Sequence, residues 1–299
     1  MNIRNLKRYF SDSGYRFAVN DSHGFYNKLP DAEYLNKKFK SKFGKELNLD
    51  NPQTYNEKLQ WLKLNDRRPE YIIMADKYSV KEYVANIIGE EYIIPTIGVW
   101  DNFEDIDFYK LPDRFVLKCT HDSGGLVLVR DKEHFNVEAA RKKLEKCLKR
   151  NYFWFGREWP YKEIRPRIIA EEYLSPDDEK GLIDYKFFCF NGCVKCLYVS
   201  ENSHLSNQKI QFFDKEFNPL SIKRSDYADF DILPLKPVNY DLMIEIAEKL
   251  SKNITHIRVD MYEINKKVYF SELTLFTSSG FVPFEDDKWD QLMGEWIEL

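Results

Sequence analysis

The stretch His256-Ile257-Arg258-Val259-Asp260-Met261-Tyr262-Glu263-Ile264-Asn265-Lys266-Lys267-Val268-Tyr269-Phe270-Ser271-Glu272 reads as a β-hairpin. Ile257, Val259 and Met261 alternate with Arg258, Asp260 and Tyr262. A turn follows around Asn265-Lys266, and Val268 and Phe270 then alternate with Tyr269 and Ser271. Side chains on a strand repeat with a period of two, so Arg258 and Asp260 share a face, and Glu272 can come level with Asp260 on the returning strand. Two carboxylates beside an arginine suit a Mg²⁺–phosphate site, in which hard oxygen ligands hold the metal and a guanidinium meets developing negative charge. The alternative is an exposed hairpin with an ordinary Arg–Asp pair. The rest of the chain decides between them.

Upstream, Phe115-Val116-Leu117-Lys118 is a short apolar strand ending in a lysine. It runs through Cys119-Thr120-His121-Asp122-Ser123-Gly124-Gly125 into a second apolar strand, Leu126 to Val129. Glycines let backbone N–H groups approach phosphate oxygens, and the lysine supplies a point charge. Neither a Walker-type loop nor a G-x-G-x-x-G fingerprint is present. Next comes Arg167-Ile168-Ile169-Ala170-Glu171-Glu172-Tyr173-Leu174, a strand ending in two acids and the turn Ser175-Pro176-Asp177-Asp178. Asp184 to Gly192 is another alternating strand, with Asp184 and Lys186 on one face.

In this order the phrases resemble the ATP-grasp superfamily, and more narrowly its TupA-like members of surface-polysaccharide biosynthesis. Asn51-Pro52-Gln53-Thr54-Tyr55-Asn56-Glu57-Lys58-Leu59-Gln60-Trp61, Ala75-Asp76-Lys77-Tyr78, Lys118 to Gly125, Asp184 to Gly192 and Arg258 to Tyr262 carry the resemblance, which runs from about Leu47 to the C-terminus. It implies ATP and Mg²⁺ as cofactors. Lys77 and Lys118 match the phosphate-contacting lysines, Ser123, Gly124 and Gly125 the loop that closes over the triphosphate, and Asp184 and Lys186 further nucleotide-site positions. Glu171, Glu172, Tyr173 and Leu174 match the strand that hydrogen-bonds adenine, followed by an acid for the ribose (Asp177, Asp178 or Glu179). Asp260 and Glu272 match the metal carboxylates and Arg258 the arginine near the transferred phosphate. The third metal position, Asn in many relatives, is Thr274 here, and this departure puts a second metal in doubt.

The implied fold is α/β (α+β): an ATP-grasp fold with a small lid subdomain, a larger mixed-sheet lobe carrying the metal hairpin, and an N-terminal helical extension. The expected divisions are 1–68 for the extension, 69–111 for an N-terminal lobe, 112–174 for the lid and 175–299 for the C-terminal lobe. Helices are expected around Tyr34 to Phe43, from Asn51-Pro52 through Leu62, at Ala75 to Ile88, Val137 to Lys149 and Tyr240 to Lys252, with a strand at Thr96 to Trp100.

Of 299 residues, 43% are apolar, ample for a core, and a net charge of -4 argues against nucleic acid as the main partner. The Cys193-x-x-Cys196 pair, with Cys189 nearby, has no second Cys/His pair at zinc-finger spacing and reads as structural thiols. Met1 to Leu29 lacks an apolar run of signal-peptide length, and no stretch approaches the ~20 apolar residues of a membrane span, so a cytoplasmic setting is expected. Arg4, Lys7, Arg8 and Arg16 are mixed with Tyr9, Phe10, Tyr15 and Phe17. A helix packed on the enzyme body is expected there, with peripheral contact with the inner membrane face through a lipid-linked glycan as the alternative. The aromatic stretch Tyr152 to Tyr161 reads as packing rather than a lid or sugar-stacking surface.

The expected chemistry is ADP-forming carboxylate–amine ligation through an acyl phosphate, joining a small-molecule or glycan carboxylate, such as a sugar acid or amino acid of a surface polysaccharide, to an amine. Arg258, Lys118 and His121 are the candidate catalytic residues, and Ser278, Ser279 and Gly280 the candidate acceptor contacts. An ATP-grasp kinase acting on a sugar hydroxyl is the first alternative. A glycosyltransferase is the second, for which the acidic pairs Asp286-Asp287 and Asp177-Asp178 lack a convincing preceding strand.

Overall fold

A computed structural model describes residues 3–175, 182–201, 208–224 and 226–299. The smaller of two sheets contains β1 (Thr96–Trp100), β2 (Phe115–Cys119), β3 (Leu126–Val129) and β4 (Ile168–Glu172) in the order β1-β4-β2-β3, all antiparallel. The larger contains β5 (Ile183–Phe190), β6 (Cys193–Glu201), β7 (Lys209–Asp214), β8 (Ala228–Asp229), β9 (His256–Ile264) and β10 (Lys267–Thr274). Its order is β10-β9-β5-β6-β7-β8, antiparallel apart from the short β7–β8 pairing. The strand expected at Thr96 to Trp100 is present as β1 and joins the smaller sheet by pairing with β4.

Each sheet has its own apolar core. In the larger one, alternate residues Phe187, Val259 and Met261 meet α9 (Tyr240–Leu250) through Met243, Ile246 and Ala247. The helices α4 (Tyr55–Asn65), α5 (Glu70–Ala75) and α6 (Ser79–Ile88) add Leu59, Met74 and Val84 to the same cluster, and α10 (Asp287–Glu295) adds Met293. The smaller sheet buries Phe115, Leu117, Ile168 and Ala170 against Ala140 and Leu144 of α7 (Val137–Leu148). A third cluster joins Phe17 with Tyr34, Leu35 and Phe39 of α3 (Asp31–Phe43) and with Phe281.

Two of the helix boundaries that differ from the sequence reading do so for polar reasons. Helix α4 starts three residues beyond Pro52, because Thr54 and Glu57 form a reciprocal capping box. The helix expected from Ala75 to Ile88 is two helices. Asp76 leaves helical geometry (φ −81, ψ 113), accepts from Ser79 Oγ at 2.7 Å, and takes Arg167 Nη2 at 2.7 Å. At the N-terminus, α1 (Ile3–Ser11) rests on α2 (Ser13–Ser22) with Leu6 and Phe10 exposed, whereas Phe17 of α2 packs into the third cluster with Phe281. The aromatic stretch includes α8 (Phe153–Gly156) and ties the extension to the body. Tyr34 Oη donates to Phe155 O at 3.1 Å, and the buried Arg157 faces Asp31 at 3.3 Å.

Candidate active site

A cavity of about 940 Å³ opens between the sheets and draws its walls from both. On the larger sheet, the β9–β10 hairpin turns through Asn265 (φ 53) and Lys266 (φ 62), a pair of left-handed residues that matches strand twist. Strict alternation would put Glu272 on the apolar face with Val268 and Phe270. A bulge at Ser271 prevents this: Phe270 pairs with Met261, and the next pair is Glu272 with Asp260. The one extra residue brings Glu272 onto the polar face, level with Asp260.

Asp260 is fully buried and holds two cations. Arg258 grips it with both prongs, Nε to Oδ1 and Nη2 to Oδ2 at 2.7 Å each, and Lys186 Nζ reaches Oδ2 at 2.6 Å from the neighbouring β5. Lys186 also lies 3.4 Å from Asp184. Burial alone would raise the Asp260 carboxyl, but Arg258 and then Lys186 outweigh it and hold it below the usual range. Burial likewise opposes the charge on Arg258 and Lys186, and their carboxylate neighbours raise both well above normal. Glu272 lines the cavity without a hydrogen-bond or ion-pair partner among the described residues. Thr274 does not line the cavity; its Oγ1 accepts from Arg258 Nη2 at 3.1 Å and so steadies the arginine.

Among the described residues no three His, Cys, Asp or Glu side chains cluster as a dedicated metal cage. A Mg²⁺ ion shared with phosphates needs only one or two carboxylates, and the donor set here, Asp260 opposite a half-open Glu272, fits that use.

The opposite wall belongs to the small sheet. Lys118 and Glu171 sit diagonally on the adjacent β2 and β4, and Lys118 Nζ meets Glu171 Oε2 at 2.6 Å. The other oxygen, Oε1, takes Lys81 Nζ of α6 at 2.5 Å. Lys77 lines the cavity with its Nζ on Asp122 O at 2.9 Å, while its own N–H holds Thr120 O at 3.0 Å. Ser123, Gly124 and Gly125 also line the cavity. Gly124 has φ 109, a conformation that only glycine adopts cheaply, and a Cβ at Gly125 would meet Cys119 Cβ at 2.9 Å.

Three expectations take different places, and one lies outside the described residues. Of the proposed adenine strand, only Glu171 lines the cavity. Glu172 is exposed and gives its N–H to Pro95 O, Tyr173 lies under Arg114, and Leu174 packs with Ile94 and Ile264. The ribose candidates Asp177, Asp178 and Glu179 lie outside the described residues. His121 does not reach the cavity. It is buried with Nε2 at 3.2 Å from Cys147 O and 3.1 Å from Arg150 O, and burial depresses its pKa, so it ties the start of the Ser123–Gly125 loop to the end of α7. Of the acceptor loop only Ser278 reaches the cavity; Ser279 and Gly280 face inward.

That loop rests on residues the sequence reading did not single out. Ser278, Ser279 and Gly280 are successively left-handed (φ 50, 55 and 61), which costs non-glycine residues about 1–2 kcal/mol each. Helix α4 compensates. Gln60 Nε2 donates to Gly280 O at 2.7 Å, and the fully buried Lys63 donates to Ser279 O at 2.8 Å, Gly156 O at 2.7 Å and Gln60 Oε1 at 2.9 Å. Burial pulls Lys63 below its usual range and pushes its neighbour Glu158 up. Arg224, clamped by Asp226, donates to Ser278 Oγ at 2.9 Å, and Tyr198 and Tyr227 complete this end of the cavity. Gln60 and Lys63 carried little signal, because they share their helix face with Asn56 and so look like an ordinary solvated stripe; Arg224 carried none.

Solved structures show a distant overall likeness. D-alanine-D-alanine ligase from Helicobacter pylori aligns at 14% identity and TM-score 0.44, over 81% of this chain and 69% of that one. The Bacillus anthracis D-alanine–D-alanine ligase complexed with ATP aligns at 16% identity and TM-score 0.37, over 68% and 54%. The ATP-grasp ligase PsnB, complexed with a phosphomimetic variant of its minimal precursor, Mg and ADP, aligns at 11% and 0.37, over 73% and 55%. The chain thus spans little more than half the length of the last two, and at these identities the likeness concerns fold alone. No curated protein matches. The profile of TupA-like ATP-grasp proteins, however, matches residues 57–298, from the capping glutamate of α4 past the end of α10 and across every wall of the cavity. With two sheets facing one cavity and helices ahead of them, the chain belongs to the TupA-like ATP-grasp family.

Proposed function

We propose that the protein is an ATP- and Mg²⁺-dependent carboxylate–amine ligase. ATP gives its γ-phosphoryl group to a carboxylate, ADP leaves, an amine attacks the acyl phosphate, and amide and phosphate are released with loss of one proton. The observation that carries this reading is the opposition, across one cavity, of the Arg258–Asp260–Glu272 face to Lys118, Lys77 and the Ser123–Gly125 loop. Lys77, Lys118 and the loop N–H groups hold the triphosphate. Arg258, fixed by Asp260, meets charge that builds on the carboxylate oxygen during both transfers. Asp260 and Glu272 would hold Mg²⁺, which when bound would neutralise charge on the phosphate oxygens. Ser278, backed by Arg224, contacts the acceptor. The family setting points to a sugar acid or amino acid of a surface polysaccharide as one partner.

Hydroxylamine tests the reaction class, because it traps acyl phosphates as hydroxamates. With MgATP and uronic or amino acids as candidate carboxylates, we expect a hydroxamate together with ADP and inorganic phosphate. A stable phosphate ester, with no hydroxamate and no free phosphate, would replace the ligase with a kinase built on the same nucleotide residues.

A further inference from the structure

The cavity presents Lys118 to a nucleotide, yet Lys118 is already paired with a carboxylate. Glu171 is 4% exposed, and its Oε2 stands 2.6 Å from Lys118 Nζ. Held by that carboxylate alone, Lys118 would face a full negative charge at contact distance and would be a poor phosphate ligand. The second lysine changes the balance. Lys81, reaching from α6, places Nζ 2.5 Å from Glu171 Oε1 and 2.5 Å from the carbonyl of Ile94. Lys118 and Glu171 line the cavity, whereas Lys81 does not. Two cations on one carboxylate leave a net positive charge, and the only member of the trio free to offer it to the cavity is Lys118.

We propose that Lys81 is a positioning residue for the nucleotide: it holds one oxygen of Glu171, so that the other aims Lys118 at the phosphates without neutralising it. The burial and charges are consistent with that division. Burial opposes ionisation of Glu171, but Lys118 and then Lys81 outweigh it and keep the carboxyl below its usual range. Burial also lowers Lys81, and the Glu171 charge works against that fall. The arrangement depends on sequence placement: Lys81 lies four residues after Lys77, so one short helix and its leading turn supply both a phosphate lysine and the support for the other.

This inference rests on ATP binding in the cavity, and the test separates the two. Dissociation constants for MgATP and for adenosine are measured on the full chain by calorimetry, for wild type, Lys81→Met, Lys81→Arg, and the double variant Lys81→Met/Glu171→Gln. If wild type binds no MgATP, the nucleotide reading itself fails. If it binds, Lys81→Met should weaken MgATP about tenfold, roughly 1.4 kcal/mol, and leave adenosine within about twofold. Lys81→Arg should retain most of the affinity. The double variant should recover MgATP binding, because an uncharged glutamine no longer captures Lys118. Unchanged MgATP affinity in Lys81→Met overturns the proposal. So does equal loss for MgATP and adenosine, or a double variant weaker than the single. Should Lys81→Met fold poorly, Lys81→Arg and the double variant, which buries no unpaired carboxylate, decide the matter.

Discussion

Asp260 and Glu272 face each other across the hairpin, but their surroundings give them different duties. Asp260 is fully buried and neutralises Arg258 and Lys186; Glu272 is half-buried with no cation of its own among the described residues. Removing one partner of a buried ion cluster strands the others and costs about 3–5 kcal/mol, whereas a half-exposed, unpaired carboxylate contributes little to stability. Asp260→Asn should therefore lose both stability and ATP turnover. Glu272→Gln should keep its unfolding free energy within about 0.5 kcal/mol while turnover falls ~10²-fold, near 2.7 kcal/mol of barrier. The Asp260 contribution has a pH sign as well. Its folded carboxyl is depressed, so the stability is fully present above the unfolded value of about 3.9 and disappears as pH falls through the folded value. Urea unfolding of wild type and Asp260→Asn at neutral pH and in strong acid, alongside ADP release, checks the set. Wild-type turnover in Glu272→Gln removes it from the metal assignment.

At the scale of elements, three pieces of backbone shape the cavity: the bulge at Ser271, the left-handed turn at Ser278–Gly280, and the Ser123–Gly125 loop. The loop gives a clean contrast. A Cβ at Gly124 meets nothing within 4 Å, so Gly124→Ala carries only the strain of φ 109, about 1–3 kcal/mol. A Cβ at Gly125 meets Cys119 Cβ at 2.9 Å and Cys147 Cβ at 3.2 Å, so Gly125→Ala adds displacement of the small-sheet core. Melting should rank wild type above Gly124→Ala above Gly125→Ala, and the reverse order of the two variants would show that the loop sits differently.

Much of this was legible in the chain. The hairpin, the Gly-rich loop, and the shared faces of Asp184 with Lys186 and of Arg258 with Asp260 follow from alternation and turn chemistry within a few residues, whereas the pairing of Lys186 with Asp260 spans 74 residues. The bulge was not, because Ser271 fits either face of a strand and nothing local marks it as the extra residue. The break at Asp76 depends on Arg167, 91 residues away, and the cavity's Arg224–Ser278 bond spans 54. His121 misled for the same reason. Its loop position suggested substrate, and its partners are carbonyls at the end of a helix 26 to 29 residues on. The likeness to ATP-grasp proteins located the adenine strand at Glu171 to Leu174, but only Glu171 faces the cavity, since Glu172 and Leu174 are drawn to Pro95 and to the apolar group around Ile94.

Across the whole molecule, the two sheets have separate cores, and the cavity between them carries charged side chains on both walls. A ligand that engages both walls couples two folding units that otherwise share few apolar contacts. ATP at a hundred times its Kd should raise the unfolding free energy by ~2.7 kcal/mol. Where that stabilisation falls distinguishes a bridging nucleotide from one held by a single lobe. Amide hydrogen exchange with MgADP or a slowly hydrolysed ATP analogue should slow in β2 and the loop that follows it, and equally in β9 and β10, because phosphates reach Lys118 on one side and the Asp260–Glu272 pair on the other. Adenosine, which has no phosphates, should slow exchange in the small sheet and leave the hairpin unchanged. Lys118→Ala should shrink the thermal shift given by ATP while that of adenosine stays the same. Protection confined to the small sheet with every ligand would mean that the hairpin face serves the acceptor alone, and that the carboxylates opposite Lys118 meet no phosphate.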